Sequence, residues 1–291
     1  VIIDPNFLPK NINIKILEQP PLTSNIERNS LTVIRQNFVE PRTPGKPNPN
    51  HAEATIEAIK RGVQFVKNGQ CSAICTMPIS KSILKEGANF PFPGHTEYLA
   101  HLDESKNYAM MLVNKYLRVV PVTIHIPIKD ITKYLNTELI EKTIKTTHQE
   151  LNSRFSISNP NIWISGLNPH AGENGTIGDE EQKFIIPIIK KLQSEGYNLL
   201  GPLSADTMFY GKKRPRFDAA ICMYHDQALI PIKTLDFHSS VNLTIGLSFI
   251  RTSPDHGTAF DIAGKNLANP TSTIEAIKLA WNMAKKEQKD R

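Results

Sequence analysis

The stretch Ala219-Ala220-Ile221-Cys222-Met223-Tyr224-His225-Asp226-Gln227 runs from uncharged residues straight into a histidine, a carboxylate and an amide. A short apolar run bounded by polar residues reads as a buried strand, and here the polar group begins at its carboxyl end. The arrangement occurs twice more. Val119-Val120-Pro121-Val122-Thr123 leads to His125, and Ile162-Trp163-Ile164-Ser165 leads to Asn168-Pro169-His170. Ligands of open α/β sheets bind beyond the carboxyl ends of the strands, so the pattern predicts three imidazoles along one sheet edge. Three neutral imidazoles suit a borderline divalent ion and leave positions open for substrate oxygens. Taken singly, each reads as a separately satisfied side chain; only their shared placement raises the metal reading.

Outward from this stretch, short β-branched runs alternate with helix-periodic ones, which predicts the α/β class with a parallel sheet covered by helices. Strands are expected over 72–76, 109–113, 118–123, 161–165, 219–223 and 241–249, and helices over 137–152, 179–193 and 271–286. A further helix follows Asn50, with Ala52, Ile56, Ile59, Val63 and Val66 on one face and Asn68-Gly69 as its stop. Between Pro41 and Asn50, four prolines and a glycine forbid regular structure. No internal repeat is present.

At 291 residues the chain exceeds the size at which one core usually stops growing, so two lobes with a cleft are expected. The net charge of +6 comes from 34 basic and 28 acidic residues that are dispersed and not interleaved with aromatics. That pattern points to a small anionic substrate and away from nucleic acid. Lysines at 142–145 and 285–289 read as solvated helix faces. Cys71, Cys75 and Cys222 are an odd number in apolar surroundings, which suits a reducing, cytoplasmic setting. No apolar run approaches the roughly 20 residues that span a bilayer, so no membrane partner is expected.

Asp206, in Ser204-Ala205-Asp206-Thr207, has three open readings: metal shell, proton acceptor, or N-cap of a short helix. Lys233, Asn242 and Arg251 add two cations and an amide near strand ends. Arg251 has the planar fork suited to phosphate or carboxylate and Lys233 is a point charge, while a plain surface charge is an equal reading for either. Neither G-x-G-x-x-G nor a phosphate loop is present. A dinucleotide would need another seat, and the small-residue segment from His256 to Lys265, followed by Ala268-Asn269-Pro270, is the candidate. Gly257, Thr258 and Ala259 permit close backbone approach, while Asp261 or Asn269 can bond polar edges. His51, His101, His148 and His238 receive no function.

Gly94-His95-Thr96-Glu97, Asn168 to Glu173, Gly201 to Thr207, Tyr224 to Ala228 and Asn242 through Lys265 together resemble the 4-hydroxythreonine-4-phosphate dehydrogenase family of pyridoxal phosphate biosynthesis. The resemblance implies a two-lobed α/β/α fold like that of isocitrate and isopropylmalate dehydrogenases, with the active site in the interdomain cleft. Residues 1–94 with 254–291 would form the cofactor-side lobe, and 95–253 the metal, substrate and dimerisation lobe. It further implies a homodimer whose metal and substrate site is shared between subunits; His225 from one subunit with His125 and His170 from the other is the division supposed for testing, not one that the resemblance fixes. One divalent ion (zinc, magnesium, cobalt or manganese) would sit on those histidines.

By the same resemblance, substrate contacts fall on His95, Thr96, Lys233, Asn242 and Arg251. With the family's reaction in view, Lys233 and Asp206 are taken as the catalytic groups, Asp206 as base or outer metal partner. NAD or NADP falls on Gly257, Thr258, Ala259, Asp261 and Asn269. The implied reaction oxidises and decarboxylates 4-phosphohydroxy-L-threonine to 3-amino-2-oxopropyl phosphate and carbon dioxide. Rival readings are a paralogous dehydrogenase of another phosphorylated four-carbon hydroxy acid, a non-redox phosphate-ligand or acyl-transfer protein, and a metal-dependent hydrolase. One departure stands out: the family's opening strand and G-D-P-x-G-x-G-P-E loop have no counterpart ahead of Val1, which predicts a missing N-terminal piece.

Overall fold

Residues 1–21, 29–211 and 217–289 are described in the computed structural model. In chain order the first half comprises β1 (Ile2–Ile3), β2 (Ile14–Leu17), β3 (Leu31–Arg35), α1 (Ala52–Lys67), β4 (Ala73–Cys75), α2 (Lys81–Ala88), α3 (His95–Asp103), β5 (Ala109–Val113), β6 (Arg118–Thr123) and α4 (Ile131–Tyr134). The second comprises α5 (Thr137–Ser153), β7 (Ile162–Ser165), α6 (Ile186–Ser194), β8 (Leu199–Leu203), α7 (Ala205–Met208), β9 (Ala219–Tyr224), α8 (His225–Leu235), β10 (Val241–Ile245), β11 (Ile250–Pro254) and α9 (Thr271–Lys289). Eight strands form one sheet in the order β4-β11-β10-β5-β6-β9-β7-β8, and β1-β3-β2 form a second, parallel sheet.

The large sheet is mixed, which corrects the parallel expectation. β6, β9, β7 and β8 run parallel, but β5 is antiparallel to β6 and β10 is antiparallel to both β5 and β11. The links between β5 and β6 and between β10 and β11 are too short for a parallel crossover, so the chain must reverse. The strand expected over 241–249 stops at Ile245; 246–249 form the turn, and the chain returns as β11. Gly246 takes φ 84°, and a Cβ there would lie 2.0 Å from the Asn107 carbonyl oxygen. Only glycine fits this turn. The helix expected over 179–193 likewise opens as a π-turn, Glu181–Ile185, and becomes α-helical only from Ile186.

Hydrophobic burial fixes helices on both faces of the sheet. Ile140, Ile144 and Leu151 of α5, Ile188 and Leu192 of α6, and Met283 of α9 close over Met111, Ile164, Ile221 and Leu243. Leu229 and Ile232 of α8 cover Met110, Leu112, Val119 and Cys222 on the opposite face. A separate cluster joins the predicted apolar stripe of α1 (Ala52, Ile59, Val63, Val66) to Leu99 and Phe249. α1 ends at Asn68 with Gly69 at φ 73°, as its sequence predicts. The lysine faces are solvated: Lys145 pairs with Glu141 at 2.7 Å, while Lys142 and Lys285 lie over Tyr108 and Trp281. The Lys289 side chain lies outside the described residues. No helix among the described residues is long and apolar enough to cross a membrane.

Three elements are cross-linked by one buried cation. Arg154, at the end of α5, bonds Glu150 at 3.1 Å, Glu287 of α9 at 2.8 Å and the Leu247 carbonyl in the β10–β11 turn at 2.9 Å. Removing one partner of a buried pair strands the other charge, at a cost of roughly 3–5 kcal/mol. Arg154→Met should therefore lower unfolding free energy in urea by about that amount, and adding Glu150→Gln should restore more than half of it. A loss below about 1 kcal/mol in the single variant would show that water reaches Glu150.

Candidate active site

Arg251 lies on β11 opposite Thr244 of β10, and strand pairing places Asn242, Thr244 and Arg251 on the sheet face that carries Met110 and Leu112. Arg251 is 3% exposed. Its Nε and Nη2 both donate to the Thr76 hydroxyl, at 3.1 and 2.9 Å, and its Nη1 donates to the Thr244 hydroxyl at 2.9 Å. Among the described residues no carboxylate forms a salt bridge with it; burial lowers its pKa to about 10, against the opposing pull of Cys75 and the Glu97 carboxylate. It therefore stays charged at neutral pH in a site that supplies only neutral acceptors.

Two orphaned polar atoms accompany this cation. His95 Nε2, at the start of α3, and Asn242 Oδ1 are buried and have no hydrogen-bond partner among the described residues. Burial, followed by the charge of Arg251, depresses the His95 imidazole to about 3, so it is neutral at physiological pH. A neutral imidazole offers one donor and one acceptor, while an amide oxygen accepts N–H or O–H. Thr96 follows His95 in the first turn of α3. Cation, imidazole and amide oxygen together suit a ligand that carries both anionic oxygens and hydrogen-bond donors.

The strand ends bring two of the three predicted histidines together. Thr123 and Tyr224 are paired in adjacent parallel strands, so the chain beyond them sets the His125 and His225 rings 5.7 Å apart. They line a pocket of about 150 Å³ with Ile126, Ile128, Ile131 and Asp226. Burial, then the charges of Lys81 and His225, pushes the His125 pKa down, which favours the neutral ligand form. His225 Nδ1 lies 2.6 Å from Asp226 Oδ1, a carboxylate partner that fixes the tautomer and leaves Nε2 free to face a metal. Two imidazoles are suitable ligands for a divalent ion but make only part of a ligand set.

His170 does not join that pocket, and among the described residues no three His, Cys, Asp or Glu side chains converge. It sits in an exposed left-handed turn after β7, with φ 53° and ψ 28°. The two strand ends are nevertheless tied. Gln227 Oε1 accepts from Ser165 Oγ and the Met223 amide, and its Nε2 donates to the Gly166 carbonyl.

Asp206 is exposed in the first turn of α7, where Ser204 and not Asp206 holds the N-cap position. Lys233, in the last turn of α8, pairs with Asp255 at 3.0 Å. Residues 256–270 form a largely exposed loop in which Ala259 is left-handed, and nothing lies within 4 Å of a Cβ built at Gly257. Thr258, Asp261 and Asn269 share this loop. The Asn269 side-chain oxygen is committed to the Thr271 amide at 3.0 Å, at the start of α9. Sequence reasoning missed Thr76, Thr244, Lys81 and Asp255. A lone threonine in or beside a strand carries no distinguishing signal, whereas Gln227 stood out in the polar group after β9 but was given no role of its own.

A sequence model of the family described as the pyridoxal phosphate biosynthetic protein PdxA matches residues 1–280. A 4-hydroxythreonine-4-phosphate dehydrogenase of Roseobacter denitrificans is 52% identical over 282 residues, covering 97% of this chain and 86% of that protein. One from Paracoccus denitrificans is 49% identical over 287 residues, covering 97% and 88%. The crystal structure of the Klebsiella pneumoniae 4-hydroxythreonine-4-phosphate dehydrogenase superposes with a TM-score of 0.87 at 34% identity, over 97% of this chain and 89% of that one. The chain thus belongs to the 4-hydroxythreonine-4-phosphate dehydrogenase family, oxidoreductases of pyridoxal phosphate biosynthesis.

Proposed function

We propose that this chain catalyses the metal-dependent, NAD- or NADP-linked oxidation and decarboxylation of 4-phosphohydroxy-L-threonine, giving 3-amino-2-oxopropyl phosphate and carbon dioxide. The observation that carries the reading is Arg251, a buried cation bonded only to hydroxyls. A buried charge needs a counter-charge, and an anionic group of the substrate supplies one. The substrate's ammonium and hydroxyl then match the acceptor oxygen of Asn242, and His95 and Thr96 complete its surroundings. Lys233 reaches the substrate by exchanging its partner Asp255, which is feasible because the pair is not fully buried.

His125, His170 and His225 would hold the ion. When bound, the metal acts as a Lewis acid toward the hydroxyl being oxidised, and the nicotinamide accepts the hydride. Asp206 accepts the hydroxyl proton. Oxidation leaves a ketone β to the carboxylate, so the carbon–carbon bond can break with its electron pair moving toward that carbonyl. Carbon dioxide leaves, and the resulting enolate takes a proton from water on the carbon that bore the carboxylate. Arg251 and Lys233 hold the anionic groups still while this happens. Gly257, Thr258, Ala259, Asp261 and Asn269 receive the dinucleotide, with Asn269 offering its amide N–H2 because its oxygen is engaged.

We further propose an isocitrate-dehydrogenase-like division into a cofactor lobe (1–94 with 254–291) and a metal and substrate lobe (95–253), with the site in the cleft between them. The protein would act as a cytoplasmic homodimer. Supporting the dimer, His170 stands apart from the His125–His225 pocket, and Ile128 of that pocket is 74% exposed. Each centre then takes His170 and His225 from opposite subunits.

Two experiments test the proposal. With 4-phosphohydroxy-L-threonine, metal and NAD or NADP, reduced-nicotinamide absorbance should rise, stop on chelation, return on adding zinc, cobalt, magnesium or manganese, and be slower for the analogue lacking the amine. Phosphate release without nicotinamide reduction would overturn the redox reading, and preference for the amine-free analogue would point to the paralogous substrate. Next, mixing inactive His225→Ala and His170→Ala proteins under subunit exchange should restore about one quarter of wild-type activity. About half the dimers are mixed, and each has one intact centre. No recovery after verified exchange would place both histidines in one subunit's contribution.

A further inference from the structure

We infer that Glu181 is the positioning residue for His170: its buried carboxylate is the post around which the histidine's loop is wound. The inference rests on His170 serving as a metal ligand.

Five consecutive residues, His170 to Asn174, have φ between 41° and 78° and lie in the left-handed region. Four of them are not glycine. A run of L-residues does not hold this conformation by its own preference, so surrounding contacts must over-determine it. Glu181 supplies them. Its Oε1 accepts from the Leu167 amide at 2.8 Å and the Asn168 amide at 2.7 Å, and its Oε2 accepts from Asn168 Nδ2 at 3.0 Å. The residue is 2% exposed, and among the described residues its carboxylate oxygens form no salt bridge and accept only from these N–H groups.

The loop passes close enough to the carboxylate to exclude side chains. A Cβ at Gly172 would lie 2.5 Å from Glu181 Oε2, and one at Gly166 would lie 3.0 Å from Oε1. Glu181 also opens the π-turn that precedes α6, a feature often found at functional sites. The extra residue of a π-turn redirects the side chain at its start. From the next position, Gln182 Nε2 donates to the Asn174 carbonyl at 2.8 Å, closing the far end of the same turn.

Both oxygens of Glu181 act as acceptors, which distinguishes it from a space-filling group. In Glu181→Gln one oxygen becomes an N–H2 that faces the amide donors of Asn168, with volume and backbone unchanged. The loop loses its centre, and His170 loses its fixed direction.

The test uses the full-length protein loaded with cobalt(II), comparing wild type, Glu181→Gln, Glu181→Ala and His170→Ala. Cobalt affinity and the visible ligand-field spectrum report the metal centre. Hydrogen exchange of the peptide over 166–175 reports the loop, and thermal melting confirms folding, with Glu181→Gln informative if Glu181→Ala does not fold. Glu181→Gln should weaken cobalt binding about ten- to a hundredfold, the range for groups that orient metal ligands. It should also alter the spectrum and speed exchange in 166–175, while leaving NAD affinity unchanged. Wild-type cobalt affinity and exchange in Glu181→Gln, alongside lost affinity in His170→Ala, would overturn the inference and leave the metal reading intact. Wild-type affinity in His170→Ala would remove the metal reading itself, and the inference with it.

Discussion

A guanidinium buried among hydroxyls constrains the rest of this structure. Holding Arg251 in place requires Thr76 at the end of β4 and Thr244 on β10 to flank β11, which in turn requires β10 and β11 to run antiparallel through the tight turn at Gly246. The same cation helps keep His95 neutral. Hydroxyls satisfy the N–H geometry but not the charge. Glu97 acts on the cation only through space, so the site is assembled without an anion in direct contact, held open by the sheet.

The two halves of the site are built differently. Arg251, Asn242 and Thr244 stand on paired strands, where register fixes their spacing. The histidines stand just beyond strand ends, where direction depends on polar contacts. Gln227 ties the ends of β9 and β7 through three hydrogen bonds, and Asp226 orients His225. Rigid elements carry the charge, while short polar clamps aim the imidazoles, as a preorganised site needs.

Much of the fold was legible in the sequence because burial imposes periodicity. The stripe of α1, its Asn68-Gly69 stop and the runs that became β5, β6, β7 and β9 were readable in this way. Strand direction was not. A run buried on both faces looks the same whether parallel or antiparallel, and Gly246 inside an apolar stretch hid a reversal. In the site, His125 and His225 announced themselves as polar residues following apolar runs, and they are neighbours in space. His170 followed the same rule but does not meet them within one chain. Thr76, Thr244 and Glu181 gave no sign, because their partners are a distant guanidinium and backbone amides.

The most direct measurement is to replace Arg251 with an apolar residue of similar length and record thermal stability with and without inorganic phosphate. If the buried cation exists to receive an anion, Arg251→Met should melt at or above the wild-type temperature, since an uncompensated buried charge is removed. Phosphate should stabilise the wild type but not the variant. Equal stabilisation of both proteins by phosphate, or a variant that melts far below wild type, would contradict the account and make Arg251 a structural strut.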